Sequence, residues 1–429
     1  MGLVLKGGKV FSEKGLIEAD ILIQNGKIAQ IGNNLSSDNT EDVTGKIILP
    51  GLIDVHVHFR EPGGEHKEDY LSGSKAAAAG GVTTIFDMPN TNPPITTQAD
   101  VENKKMLAQK SLVNYGFYVG ATPENIDSLN DIKDVVGVKV YMGSSTGNLL
   151  VDKISDLVRL IEQTNKLVVV HSENEDLIKY FSKKYGHTKM HHQMRDNLAA
   201  AISTSSSVIS ANYFKKRLHV AHMTTKEEIQ LLKHYKSPNI SCEVCPHHLL
   251  LTSEFFKEKG NWGKMNPPLR SEEDRQALWQ GIREGIVDLI STDHAPHTMN
   301  EKQSEFEKSP CGVPGVQTTL PLMLNEVNNN NLKLEDVVRL CCTNPAKIFA
   351  IKQRGEIKEG NYADLVVVDM EKTGHITNES QYSKCGWTPF HGKQIKGWPT
   401  MTIVNGNIVF KDNKFTEDKK GQRVEIANE

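Results

Sequence analysis

The stretch LIDVHVHF, residues 52–59, running on into Arg60, decides the fold. It is an apolar run of strand length interrupted by His56 and His58, and residues two apart on a strand point to the same side. Two imidazoles on one face of a buried strand ask for a common partner, and a divalent metal ion is the partner that chemistry favours. Seven further runs of similar character follow: TTIFDM (83–88), VNYGFYVG (113–120), GVKVYM (137–142), LVVVHS (167–172), LHVAHM (218–223), ISCEVC (240–245) and VDLISTD (287–293). Most are rich in Val and Ile with little polar alternation, as strands buried on both faces of a parallel sheet are. Amphipathic stretches lie between them at 67–79, 155–164, 197–216, 226–235 and 272–285.

Eight β-then-α units over about 300 residues predict a (β/α)8 TIM barrel, with a doubly wound sheet as the rival. Polar and ionisable residues recur at the carboxyl ends of runs far apart in sequence, and closure of the sheet gathers those ends around one mouth. The chain ends read differently. Residues 2–33 hold short alternating segments around Asn25-Gly26, and TIVNGNIVF near the other end turns at Asn405-Gly406; both are hairpin signals. The expectation is a small β-sandwich domain formed from both termini, residues 1–50 and 355–429, beside a barrel of residues 51–354.

Composition narrows the function. The 429 residues carry 50 Lys plus Arg against 53 Asp plus Glu, a net charge of −3. That balance gives no electrostatic case for nucleic acid or an anionic membrane, so a small-molecule substrate is expected. No apolar run approaches membrane-spanning length, and the amino-terminal stretch lacks the long apolar core of a signal peptide, which predicts a cytoplasmic protein. Six cysteines are too sparse for a disulfide framework; Cys242 and Cys245, a lone CxxC inside an apolar run, read as buried thiols.

His171 closes LVVVHS and His222 stands near the end of LHVAHM. Each alone reads equally well as a hydrogen-bonded core histidine, but four imidazoles at one end of three strands point to a shared metal centre. Lys139, inside GVKVYM, is an ammonium in a buried strand. Desolvation and nearby cations should lower its pKa, leaving a neutral amine able to take up carbon dioxide as a carbamate whose two oxygens bridge two ions. Asp293, ending VDLISTD, brings a carboxylate to the mouth that can ligate metal and shuttle a proton, and is the expected catalytic group. The inventory suits two divalent cations, zinc first, with manganese, cobalt or iron also compatible.

Taken together, PGLIDVHVHFREPG (50–63), AAAAGGVTTIFDMPNTNPP (76–94), KVYMGSSTG (139–147), CEVCPHHL (242–249), MNPPLR (265–270), STDHAPHT (291–298), NPAKIF (344–349) and ADLVVVD (363–369) resemble the amidohydrolase superfamily. Within it they resemble the dihydroorotase branch that carries a carboxylated lysine. The resemblance implies reversible interconversion of L-dihydroorotate and N-carbamoyl-L-aspartate in pyrimidine synthesis. It also implies His56, His58 and Asp293 on a first zinc, His171 and His222 on a second, and N6-carboxylated Lys139 between them. Arg60 and Asn90 would grip the substrate carboxylate, and Asn266 and His297 would contact the ring.

Two departures stand out. Many dihydroorotases have an aspartate where this chain has Lys139, and relatives commonly carry Pro-Phe-Gly where this chain has Pro310-Cys311-Gly312, so the Cys311 and Gly312 substrate contact stays open. Residues 299–308 read as a lid that excludes water. Allantoinases and hydantoinases or dihydropyrimidinases share the barrel and metal pattern and form the alternative reading, as does a non-catalytic scaffold that would be expected to lose ligands. Oligomeric state, with a homo-oligomer possible, and association with a carbamoyltransferase are not legible.

Overall fold

A computed structural model describes residues 2–144, 149–188 and 190–427. Each of the eight apolar runs contains a strand: Leu52–Val57, Val82–Asp87, Asn114–Gly120, Gly137–Tyr141, Val168–His171, Leu218–Val220, Ile240–Val244 and Leu289–Ile290. They pair in parallel and in sequence order. An isolated parallel bridge between Val57 and His294, with His58 N donating to His294 O at 2.8 Å, joins the first strand to the segment after the eighth and closes the ring. This is the (β/α)8 barrel that the run spacing predicts.

The helices begin where their sequences cap them. Thr225 accepts from Glu228 N while Glu228 reaches back, a reciprocal cap that starts Lys226–Tyr235. Asp69 does the same with Ser72 for Tyr70–Ala79. That second helix ends at Gly80-Gly81, where φ is +80° at Gly81, a left-handed turn that a side chain resists. The third strand departs from the pattern: among the described residues it is followed by a single 3-10 turn, Ile126–Ser128.

Two sheets stand beside the barrel. A four-stranded sheet uses residues 2–42 alone, and a seven-stranded sheet interleaves both termini, with Ile47–Pro50 paired to Lys9–Ser12 on one side and Leu365–His375 on the other. Alternation along Leu365–Val368 explains how this sheet serves two cores. Leu365 and Val367 join Leu5, Ile21, Ile23 and Ile28 inside the sandwich, whereas Val366 and Val368 join the cluster between barrel strands and helices. After that sheet the chain returns to the barrel, where Gly421 N donates to Ser111 O and Val424 N to Tyr115 O.

Both hairpin signals are realised. Asn25-Gly26 has φ of 51° and 78°, and Asn405-Gly406 has 48° and 76°, so both central residues of each turn are left-handed as the tight primed turn requires. The two tips touch, and a Cβ on Gly406 would lie 2.8 Å from Gly26 Cα. Gly406→Ala should therefore destabilise the protein by about 1–3 kcal/mol in urea unfolding, with turnover per folded molecule unchanged.

Candidate active site

At the carboxyl ends of the strands, His56, His58, Arg60, Asn90, Tyr141, His171, His222, Asn266, Asp293, Cys311 and Gly312 line one cavity. His56 and His58, two apart on the first strand, both turn Nε2 toward Asp293 Oδ1, at 3.4 and 3.0 Å. The imidazoles form a continuous row: ring centroids lie 5.4 Å apart for His58 and His56, 5.1 Å for His56 and His222, and 4.7 Å for His222 and His171. Lys139 lies fully buried, just outside the set that lines the cavity.

Two buried glutamates set the tautomers. His56 Nδ1 is 2.5 Å from Glu243 Oε1; an ionised carboxylate only accepts, so Nδ1 carries the hydrogen and Nε2 offers its lone pair to the centre. Glu243 also accepts from His219 Nε2 at 3.0 Å and from His222 N at 3.2 Å. These histidines hold its carboxyl well below the usual range despite burial. His171 Nε2 likewise faces Glu173 Oε2 at 2.9 Å, which leaves Nδ1 pointing at His222 Nε2, 3.0 Å away. Glu173 is held ionised by Arg195, whose Nη2 donates to it at 2.6 Å.

Charge within the cluster is short of compensation. Burial, and then the Lys139 ammonium, push the His56 pKa down to about 4; burial also depresses His58, His171 and His222. The imidazoles are thus neutral, with lone pairs available to a cation. Burial pulls Lys139 down to about 8, and its Nζ has no hydrogen-bond partner among the described residues. His56 Nε2 facing Asp293 Oδ1 is an acceptor against an acceptor, an arrangement that a cation between them relieves. The donor set therefore fits divalent metal, and His56, His58 and Asp293 have ligand atoms within 4.8 Å of one another.

Around this cluster the cavity wall is cationic and polar. Arg60 is buried, its Nε donates to Pro296 O at 3.2 Å, and no carboxylate among the described residues forms an ion pair with it. His297 stands behind Arg60, outside the cavity lining. Its Nδ1 accepts from Lys67 Nζ at 3.2 Å, and its Nε2 lies 3.0 Å from Cys311 O and 3.2 Å from Arg60 Nη2. Asn90 Oδ1 accepts from His58 Nδ1 at 2.6 Å, which makes it a brace for that imidazole as well as part of the wall. Asn266 Oδ1 accepts from His191 Nε2 at 2.8 Å, turning the amide nitrogen into a donor for the cavity.

Residues 299–308 are tied down on the inside. Lys302 Nζ donates to the carbonyls of Lys264, Pro310 and Gly312, and Lys264 Nζ to those of Phe306 and Ser309. The sequence reading passed over Glu243, Glu173, Tyr141 and His191. Glu243 had a visible signal, an acid inside the apolar run ISCEVC, which demands a buried partner.

A model of the amidohydrolase family matches residues 47–409, and the chain belongs to that family. Its relatives include a dihydroorotase of Methanosphaera stadtmanae, 37% identical over 96% of this chain and 97% of the relative, and one of Pyrococcus horikoshii, 36% identical over 98% and 95%. Among solved structures, the L-hydantoinase (dihydropyrimidinase) from Arthrobacter aurescens superposes with a TM-score of 0.92 at 29% identity, covering 96% of this chain and 97% of that one.

Glu243→Gln replaces a triple acceptor by a group with one oxygen and an amide that must find acceptors of its own. Metal retained after dialysis against a chelator should correspond to an affinity roughly 10–100-fold weaker than wild type.

Proposed function

We propose that the protein is a dihydroorotase, interconverting L-dihydroorotate and N-carbamoyl-L-aspartate. The observation that carries this reading is Arg60, a buried guanidinium in the cavity wall with no carboxylate ion pair among the described residues. Burying such a cation is costly unless an anion meets it, and the ring carboxylate of dihydroorotate supplies one. Relatives of that name at 36 to 37% identity over nearly the whole chain support the same conclusion. A second reading, a hydantoinase or dihydropyrimidinase, draws on the backbone likeness to the Arthrobacter protein, but such a ring brings no carboxylate to Arg60.

His56, His58 and Asp293 would hold one zinc ion, His171 and His222 another, and carboxylated Lys139 would bridge them. Bound there, the ions would supply Lewis acidity to the ring carbonyl and an acidified water. Arg60, with Asn90 beside it, fixes the substrate carboxylate, and the Asn266 amide orients the ring. Asp293, whose carboxyl burial shifts toward higher pKa, takes the proton from the attacking water and delivers it to the leaving ring nitrogen. In the reverse direction the same carboxylate deprotonates the attacking ureido nitrogen. The tethered 299–312 segment keeps bulk water from the reacting atoms.

Purified zinc-loaded protein should open dihydroorotate much faster than dihydrouracil, hydantoin or allantoin; comparable rates on the rings without a carboxylate would refute the assignment. Asp293→Asn should lower kcat by about 10²–10⁴-fold while the chain still folds, as circular dichroism would report. Arg60→Lys loses the planar fork, and kcat/KM for dihydroorotate should fall by roughly tenfold or more. Carbamate formation consumes the neutral amine of Lys139, a group with a pKa of about 8 before modification. Reactivation of stripped protein by zinc plus bicarbonate should therefore speed up as pH rises toward 8, at fixed dissolved carbon dioxide, and show no such rise in Lys139→Ala.

A further inference from the structure

Tyr141 ends the fourth barrel strand two positions after Lys139, so both side chains leave the same face of that strand, while Val140 between them packs outward among the helices. Its ring centroid lies 5.3 Å from Lys139 Nζ and 6.0 Å from the ring centroid of His171. The side chain lines the cavity together with Arg60, Asn90 and Asp293.

The hydroxyl is the anomaly. It is buried and has no hydrogen-bond partner among the described residues. Two other deeply buried tyrosines are satisfied within the protein, Tyr70 donating to Asp87 Oδ2 at 2.7 Å and Tyr118 to Val55 O at 2.9 Å. A phenylalanine would fill the same space without burying a polar group unpaired among the described residues, so an acceptor entering the cavity at Tyr141 would relieve a penalty.

The visitor's orientation follows from the row of imidazoles. Arg60 extends the first strand at the His58 end, and Tyr141 ends the fourth strand at the His171 end. With a substrate carboxylate on Arg60, Tyr141, in the same cavity wall and within electrostatic reach of Arg60 and Asp293, is placed to meet a second acceptor of that substrate, its ring amide. We propose that Tyr141 is a further catalytic residue, whose phenol donates a hydrogen bond to the ring carbonyl oxygen as that oxygen gains negative charge. The phenol keeps its proton throughout, and no bond to it forms or breaks. Because the charge is greatest in the transition state, the contribution falls on the chemical step rather than on substrate capture.

This inference rests on the ring-opening reading above, and its test separates the two. Wild-type protein and Tyr141→Phe are assayed in parallel on dihydroorotate and dihydrouracil, with metal content and the melting temperature of the substrate-free protein measured for both. For whichever ring the wild type opens, Tyr141→Phe should lower kcat by about 100-fold and leave KM within about twofold. The variant should keep its metal, and its Tm should be equal to or higher than that of wild type, since an unpaired buried hydroxyl has been removed. An unchanged kcat overturns the proposal, as does a higher KM with kcat preserved. So does a kcat loss accompanied by lower Tm or lost metal, which would mark a structural role. Wild-type turnover of dihydrouracil alone would sink the dihydroorotase reading yet still score Tyr141, and inactivity on both rings would sink both.

Discussion

The seam between the first and eighth barrel strands is the constraint on which the rest depends. Asp54 accepts from Thr292 N at 3.1 Å and from Thr292 Oγ1 at 2.5 Å, and the same hydroxyl reaches His56 O at 3.3 Å. One residue later comes Asp293, and one earlier than His58 comes the bridge to His294. The seam therefore closes the sheet and sets a carboxylate opposite two imidazoles in a single act. Burial raises the Asp54 pKa to about 7, a sign of how little water reaches this joint. Had the sheet stayed open, Asp293 would lie at one edge and His56 at the other.

Backbone strain reaches the mouth that the seam creates as well as turns elsewhere. Arg60, His222 and Asp293 all have positive φ, 63°, 34° and 45°, without being glycine. Each follows the end of a barrel strand, where the chain must turn sharply over the rim while keeping its side chain aimed at the centre. Such conformations persist only where surrounding contacts over-determine them. Here the bracing comes from Glu243 receiving the His222 amide, from Pro296 O receiving Arg60, and from the Thr292 side chain receiving the His294 amide.

Much of this was legible in the chain, for a definable reason. Parallel strands covered on both faces select apolar residues, so a histidine, lysine or aspartate at their ends stands out, as His56, Lys139 and Asp293 did. Glu243 lay inside a stretch already quoted and Glu173 one residue beyond another, but a single acid does not say which imidazole it will orient; that depends on register between strands, which spacing along one strand does not carry. Residues 299–308 looked like a lid because they are polar. The lysines that fasten them, Lys264 and Lys302, act through main-chain carbonyls, and carbonyls leave no mark on side-chain pattern. The hairpin glycines announced both terminal turns, yet nothing local told that residues 2–42 would make a sheet of their own.

Ile47–Pro50 pairs with Lys9–Ser12 through a parallel ladder and with Leu365–Val368 through an antiparallel one. On a ribosome the first partner emerges early and the second only after the entire barrel has been translated. Until then the newborn polypeptide presents a bare strand edge flanked by Ile47, Ile48 and Leu49, the kind of surface that invites pairing with another nascent chain. The strand that finally covers this border therefore comes from the far side of the barrel in sequence.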